Sequence, residues 1–193
     1  LTNKTLKKMA ENVTKVTKDI LPDQKLDCVA YGCTSGTIAA GYKSIYKKIN
    51  IAKPNTKVTT PITSAINAFK TLKINKLSIF TPYTNEINQS LINYFKNKNI
   101  AIDELFYLDI ASDLDIGKVD PNYLFDVLTK KNLSQSNVLF ISCTALPVLS
   151  ILQDLENKLG KVILSSNQTL IWDTLRQIKY KSKIKGFGEL FKN

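Results

Sequence analysis

The sequence has 193 residues, of which 44% are hydrophobic, and it carries a formal net charge of +11 without a single histidine. This length allows one substantial core or two small lobes of one architecture. The lack of histidine excludes Ser-His and Cys-His catalysis, histidine-ligated zinc or haem, and histidine proton shuttles, so acid–base chemistry must come from Cys, Asp, Glu, Lys or Tyr.

The positive charge at first indicates a polyanionic partner. Arg176 is the one arginine, however, and the lysines are scattered without an aromatic-basic stripe. Nucleic-acid readers usually rely on arginine for bidentate contacts, so we expect no nucleic-acid partner. Apolar stretches are shorter than the roughly 20 residues that cross a bilayer, and residues 1–18 form a charged amphipathic segment without a signal-peptide core. We therefore expect a cytoplasmic protein without a membrane partner.

The first half of the chain alternates predicted helices and strands. Thr2 can cap a helix that ends near Leu21-Pro22-Asp23, because apolar residues recur at three- or four-residue steps before that point. The elements predicted next are a strand over 26–31, a helix from Ile38 to about Ile49, a strand over 57–60 and a helix over 61–72.

The second half repeats this alternation. Strands are predicted over 76–81, 102–108, 138–142 and 161–164, and helices over 85–97, 122–131, 146–159 and 168–178. Residues 109–121 read as a polar loop that contains Gly117. Repeated strand–helix alternation predicts an α/β architecture with parallel sheets.

Two of the three cysteines follow predicted strands in similar turns. Cys33 lies in Tyr-Gly-Cys-Thr-Ser-Gly and Cys143 in Ser-Cys-Thr-Ala, whereas Cys28 lies inside a strand and reads as a buried apolar thiol. An odd number of cysteines without metal-ligand spacing argues against a disulfide framework or a zinc site. A strand-to-helix turn places a thiol beside free backbone N–H groups at a helix N-terminus. Such a thiol should ionise more easily than its reference pKa of about 8.5 allows.

The order of elements after each cysteine is the same in both halves: a turn, a helix, a short strand and another helix. Parallel sheets bind ligands beyond the carboxyl ends of their strands, so two facing lobes would bring Cys33 and Cys143 to one cleft. The residues of the two turns expected to offer backbone N–H groups and hydroxyls to an anion are Thr34, Ser35, Gly36, Thr144 and Ala145. The alternative is that both cysteines are ordinary core residues.

Five motifs in this order resemble the aspartate/glutamate racemase superfamily, in its branch of maleate cis-trans isomerases, arylmalonate decarboxylases and ectoine-utilisation racemase-like proteins. They are Tyr-Gly-Cys-Thr-Ser-Gly at 31–36, Thr-Thr-Pro-Ile-Thr at 59–63, Thr-Pro-Tyr at 81–83, Ser-Cys-Thr at 142–144 and Ser-Ser-Asn-Gln at 165–168. The resemblance implies two pseudo-symmetric α/β lobes with short parallel sheets flanked by helices. The active site would lie in the cleft between them, with a substrate carboxylate held between two opposed cysteines, and with no cofactor and no metal.

The resemblance also implies a division of the chain into lobes. Residues 1–73 would form the first lobe, completed by 167–193, and residues 74–166 would form the second. Members of this branch begin with a strand and a proline-containing loop that contacts the substrate, and this sequence starts at the helix normally found after them. We therefore expect the first lobe to lack its first strand in this sequence.

Three further residues enter the expected site by resemblance. Tyr83 matches the family's active-site tyrosine, although a half-buried tyrosine anchored by its hydroxyl would read the same. Asn167 could donate to the substrate, or it could be the N-cap of the last helix. Asp113 stands at a position where the pattern of the maleate isomerases resembles Asp-Asn-Leu and has an amide side chain. A carboxylate there would repel a second substrate carboxylate. The alternative for Asp113 is a solvated, turn-forming loop residue.

The function expected from these residues is that of a cofactor-independent racemase or isomerase of a small carboxylate, an amino acid or a dicarboxylate, which works through Cys33 and Cys143. One alternative is a lyase or decarboxylase on the same scaffold. The decarboxylases of this branch look like enzymes with a single cysteine in the site, so the presence of two thiols argues against a decarboxylase. The other alternative is a relative without catalysis that binds anions or nucleic acid. We expect a homo-oligomer.

Overall fold

The computed structural model describes residues 1–130 and 136–192 and contains two parallel sheets. The first sheet pairs β1 (Cys28–Ala30) with β2 (Lys57–Thr59). The second has the strand order β4-β3-β5-β6, with β3 at Lys76–Thr81, β4 at Ala101–Tyr107, β5 at Val138–Ile141 and β6 at Val162–Ser165. All of these strand pairs are parallel. The predicted α/β architecture of short parallel sheets flanked by helices is therefore confirmed.

The helices are α1 (Asn3–Glu11), α2 (Val13–Asp19), α3 (Thr34–Ala40), α4 (Tyr42–Ala52), α5 (Pro61–Thr71), α6 (Asn85–Lys96), α7 (Asp113–Ile116), α8 (Pro121–Thr129), α9 (Leu152–Leu159) and α10 (Ser166–Gln177). Two 3-10 turns lie at Leu149–Ile151 and Glu189–Lys192. None of the described helices is long and apolar enough to cross a membrane.

Two predicted helices are divided in the structure. The helix expected over 1–20 is broken at Asn12 into α1 and α2, and the helix after Cys33 starts at Thr34 and is interrupted at Gly41. Gly41 has φ 81°, a conformation that L side chains rarely adopt, so α3 and α4 are separate helices. The short helix α7 replaces part of the expected loop at 109–121. The predicted end of the helix at Lys131 lies outside the described residues.

The helix predicted from Leu146 does not begin there. Residues 146–148 are irregular, a 3-10 turn follows at Leu149–Ile151, and α9 starts at Leu152. Pro147 explains the delay, because proline disfavours helical geometry in the preceding residue and lacks the N–H group that a helix interior uses. Cys143 is consequently followed by an open turn rather than by a helix.

Buried side chains of the second sheet and of the helices that flank it form the core beside the two cysteine turns. An aromatic cluster of Phe69, Phe95 and Phe140, with ring centroids 5.5–5.9 Å apart, packs α5 and α6 against β5. A second cluster, around Leu139, Ile141 and Ile163, includes Cys143 and packs against Cys33. Helix α10 follows β6 and contacts α5, β1 and β2, so it connects the second sheet to the first.

Candidate active site

Cys33 caps helix α3, as its turn sequence predicts. Its backbone is extended, with φ −136° and ψ 113°, and its Sγ accepts a hydrogen bond from the Gly36 N–H at 3.2 Å. The Ser35 hydroxyl lies 3.8 Å from the same sulfur. The first N–H groups of a helix have no partner inside the helix, so the thiol and these donors share the positive end of α3.

Gly36 is a glycine because of space rather than backbone conformation. A Cβ at this position would stand 2.8 Å from Cys33 Sγ, 2.9 Å from the Tyr31 hydroxyl and 3.0 Å from Met9 Cε. These distances are shorter than side-chain packing tolerates. The missing side chain therefore lets the backbone N–H approach the sulfur and leaves the Tyr31 hydroxyl beside it.

Cys143 is held in a different kind of turn. It has φ 130°, which is a strained conformation for a residue with a side chain. The expectation that its thiol sits at a helix N-terminus is wrong, because Pro147 delays the helix. The N–H groups of Ala145 and Leu146 instead point at the sulfur, and both lower the pKa of the thiol. The open turn thus supplies the donors that a helix end supplies to Cys33.

Burial dominates the electrostatics of both thiols. It raises the pKa of Cys33 above its ordinary value despite the Gly36 N–H and the Ser35 hydroxyl. It raises the pKa of Cys143, which is 5% exposed, to about 11. The expectation of easily ionised thiols is therefore wrong, because removal from water costs the thiolate more than these donors return. Cys143 is therefore the thiol that keeps its proton, and Cys33 is the thiol that ionises more easily of the two.

A hydrogen-bonded seam joins the two cysteine turns. The Ser166 hydroxyl, buried at the start of α10, accepts from the Thr34 hydroxyl at 2.9 Å and from the Cys143 N–H at 3.0 Å. The Thr144 hydroxyl donates to the Gly32 carbonyl at 2.7 Å. The hydroxyls of Thr34 and Thr144 are thus engaged in joining the turns, and the donors that both turns can direct at a carboxylate are mainly backbone N–H groups.

Asn167 supports the second turn and does not cap a helix. Its Nδ2 donates to the Thr144 carbonyl at 2.9 Å. The N-cap of α10 is Ser165, whose side chain accepts from the Gln168 N–H in a capping box. The alternative interpretation of Asn167 as an N-cap is therefore wrong. Its side chain is half-buried beside Thr144, one residue from Cys143.

The Tyr83 hydroxyl interacts electrostatically with both Cys33 and Cys143. It is 2% exposed, and its hydroxyl interacts with the side chains of Ser142 and Cys143. The hydroxyl lowers the pKa of Cys143, while burial first, and the charges of Cys143 and Cys33 in addition, hold the pKa of Tyr83 well above its ordinary value. Tyr83 is thus a protonated donor at neutral pH. The interpretation of Tyr83 as only half-buried is wrong.

Asp113 is exposed at the first turn of α7, and its charge raises the pKa of both Cys33 and Cys143. The neighbouring Ser112 hydroxyl caps α7 by accepting from the Asp115 N–H at 3.3 Å. Asp113 therefore places a negative charge where both thiols experience it, although solvent weakens that charge.

Sequence reasoning missed two residues of this arrangement. Ser166 belongs to the Ser-Ser-Asn-Gln motif, but only the structure shows that its hydroxyl contacts both turns. Tyr31 precedes Cys33 by two residues, and only the structure shows that its hydroxyl and the Cys33 sulfur border the same space at Gly36. Among the described residues no group of three or more His, Cys, Asp or Glu side chains is placed to hold a metal ion.

The sequence matches one protein family and the maleate isomerases over nearly its whole length. The profile of the arylmalonate decarboxylase family matches residues 7–191. A maleate isomerase from Geobacillus stearothermophilus is 26% identical over 200 residues, which cover 98% of this chain and 78% of that protein.

Two solved structures match nearly the whole chain. The maleate isomerase Iso from Pseudomonas putida, crystallised with maleate as a cysteine-to-alanine variant, superposes with a TM-score of 0.91 at 18% identity and covers 99% of this chain and 79% of its own. A cysteine-to-serine mutant of the Nocardia farcinica maleate cis-trans isomerase, with a covalently bound succinylcysteine intermediate, gives 0.88 at 16% identity over 97% and 80% of the two chains.

Proposed function

The chain belongs to the arylmalonate decarboxylase family, and on this premise we propose that it is a cofactor-independent isomerase of a small carboxylate that works through Cys33 and Cys143. One observation carries the proposal: the Ser166 hydroxyl accepts hydrogen bonds from the Thr34 hydroxyl of the first cysteine turn and from the Cys143 N–H of the second, so both thiols belong to one site. The maleate isomerases with which the chain aligns are named for this type of reaction.

The chemistry follows from the two thiols on a substrate such as maleate. The Cys33 thiolate adds to one alkene carbon, and the displaced electron pair moves into the carboxylate on the other alkene carbon, which becomes an enediolate. The Cys143 thiol gives its proton to the other alkene carbon, which leaves a succinyl-Cys33 adduct with a freely rotating single bond. After rotation the Cys143 thiolate takes a proton back, the sulfur–carbon bond breaks, and the trans alkene leaves. Proton and electron counts balance without a cofactor.

The two roles are assigned from the surroundings of each sulfur. Cys33 has the α3 N-terminus beside it and is less deeply buried than Cys143, so it is the nucleophile. Cys143 has a pKa of about 11 and the Tyr83 hydroxyl as a donor, so it carries the proton. Backbone N–H groups of the two cysteine turns, at Thr34, Ser35 and Thr144, are the donors for the enediolate. We propose Asn167 and Tyr83 as further contacts.

The test uses the unaltered protein and three substrates in deuterated water, followed by NMR. Maleate should yield fumarate. A chiral amino acid that exchanges its α-hydrogen and loses optical purity would instead identify a racemase. Carbon dioxide released from an arylmalonate would support a decarboxylase, which is the second candidate because the family profile bears that name. No change in any of the three would contradict the proposed function.

Asp113 supports a preference within this substrate class. Its charge reaches both thiols, so the site presents negative charge to the far end of a bound carboxylate. We propose that substrates with a cation at that end, such as zwitterionic amino acids, are favoured over dicarboxylates. Solvent exposure of Asp113 limits the effect to a fewfold change, because screened charges interact weakly.

Asp113→Asn should raise kcat/KM for a dicarboxylate relative to a zwitterion by about fivefold, which corresponds to about 1 kcal/mol. The matched control is Asp115→Asn on the same helix, because the Asp115 carboxylate is exposed and paired with Lys118 at 3.0 Å. Paired substrate assays on the three proteins give the result. An equal ratio in all of them would remove Asp113 from substrate recognition.

Three further proposals concern the whole protein. The division into lobes 1–73 with 167–193, and 74–166, is supported by the contacts of α10 with α5, β1 and β2. A cytoplasmic location is supported by the need for two reduced thiols, which reducing compartments maintain. A homo-oligomer remains a proposal from the resemblance.

A further inference from the structure

The hydroxyl of Tyr31, directly after β1, is buried and has no hydrogen-bond partner among the described residues. Tyr42, in the same apolar cluster, shows the usual arrangement, because its hydroxyl donates to the Val58 carbonyl at 3.1 Å. Native proteins pair nearly all of their buried polar groups. An unpaired phenol beside a reactive sulfur therefore calls for a function.

The position of this hydroxyl is defined by Gly36. The point where a Gly36 Cβ would stand lies 2.9 Å from the Tyr31 hydroxyl, 2.8 Å from Cys33 Sγ and 3.0 Å from Met9 Cε. Oxygen and sulfur thus border one small space that glycine keeps open, and the Met9 methyl closes its apolar side. The two atoms are not hydrogen-bonded in this structure, and a small movement of either side chain into this space would bring the hydroxyl within reach of the sulfur.

The charge states suit a donor. Burial first, and then the charge of Cys33, raise the pKa of Tyr31 to about 12, so the phenol stays protonated at neutral pH. The other titratable groups that act on Cys33 are Asp113 from α7 and Tyr83 from the segment after β3. Asp113 opposes the thiolate, and Tyr83 faces Cys143 more closely than Cys33. Tyr31 is the phenol placed to act on Cys33.

We propose that Tyr31 is a positioning residue whose hydroxyl donates a hydrogen bond to Cys33 Sγ when that sulfur is charged. In the thiol state the hydroxyl stays unpaired, and in the thiolate state it joins the Gly36 N–H and the Ser35 hydroxyl around the sulfur. Each cysteine then has its own tyrosine, Tyr31 for Cys33 and Tyr83 for Cys143. The inference deepens the proposed function, on which it rests, by stating how one thiol is selected to become the thiolate.

The test measures the ionisation of Cys33 directly. In a Cys28→Ser, Cys143→Ser background Cys33 is the remaining thiol, and its rate of alkylation by iodoacetamide is followed against pH. Tyr31→Phe should move the midpoint of this titration up by about one pH unit, so that alkylation below the midpoint slows by about tenfold. The assay needs no substrate, so its outcome is separate from that of the proposed isomerase activity.

Tyr42→Phe in the same background is the matched control, because it removes a partly buried tyrosine hydroxyl that packs against the same cluster and donates to the Val58 carbonyl. Its midpoint should equal that of the parent. Melting temperatures are recorded for all samples: Tyr31→Phe should not lower that of the parent, because it deletes an unpaired group. An unchanged midpoint in Tyr31→Phe, an equal shift in Tyr42→Phe, or a loss of folding confined to Tyr31→Phe would each overturn the inference.

Discussion

Replacement of Cys33 by serine will lower kcat for the isomerisation by at least about a thousandfold. A serine hydroxyl at the N-terminus of α3 has no base to ionise it. Neither addition to an alkene nor abstraction of an α-proton can therefore begin. The measurement is the rate of maleate to fumarate conversion, or of α-hydrogen exchange if the protein racemises its substrate.

Cys28→Ser is the control for this experiment. Cys28 is partly buried in β1, with its sulfur 3.9 Å from the Thr59 hydroxyl, and takes no part in the site. The Cys28→Ser protein should retain the activity of the parent within about twofold, because conservative substitutions away from a site usually have small effects. Activity that survives Cys33→Ser but not Cys28→Ser would contradict the assignment of the nucleophile.

Replacement of Cys143 by serine should separate the two chemical steps. Water can protonate the enediolate in place of Cys143, so the adduct still forms, but a neutral serine hydroxyl is too weak a base to take the proton back. Turnover should therefore fall by a factor of about 100 to 10,000, the range of a lost general acid–base group. With maleate as the probe, intact-protein mass spectrometry should show one succinyl group bound, and peptide mapping should place it on Cys33. The Nocardia farcinica mutant structure contains an adduct of this kind on its own cysteine.

The reverse pattern would exchange the two roles. If an adduct forms on Cys143 in the Cys33→Ser protein, and none forms on Cys33 in the Cys143→Ser protein, then Cys143 is the nucleophile. Its pKa of about 11 and its burial argue against this outcome, because a nucleophilic thiol must first lose its proton. The two single variants therefore decide the direction of the mechanism as well as its existence.

The sequence by itself determined the fold class and the pair of cysteine turns. The bounds predicted for β3 are the observed ones, because this strand is a short, mostly apolar run that is buried on both faces. The cysteine turns were visible because thiol, threonine and small residues follow a buried strand in both halves. These are local properties, which neighbouring residues decide.

Only the tertiary structure decided the electrostatics and the partners of the site. The pKa of each thiol depends on how much water the packed chain excludes, and burial reverses the direction that a helix N-terminus alone predicts. Pro147 makes the second turn different from the first, and Cys143, which has φ 130°, donates its N–H to the distant Ser166 hydroxyl. Ser166 and Tyr31 reach the cysteines across the fold, so no local pattern identifies them: contacts between residues far apart in the chain exist only after the sheets and helices have packed.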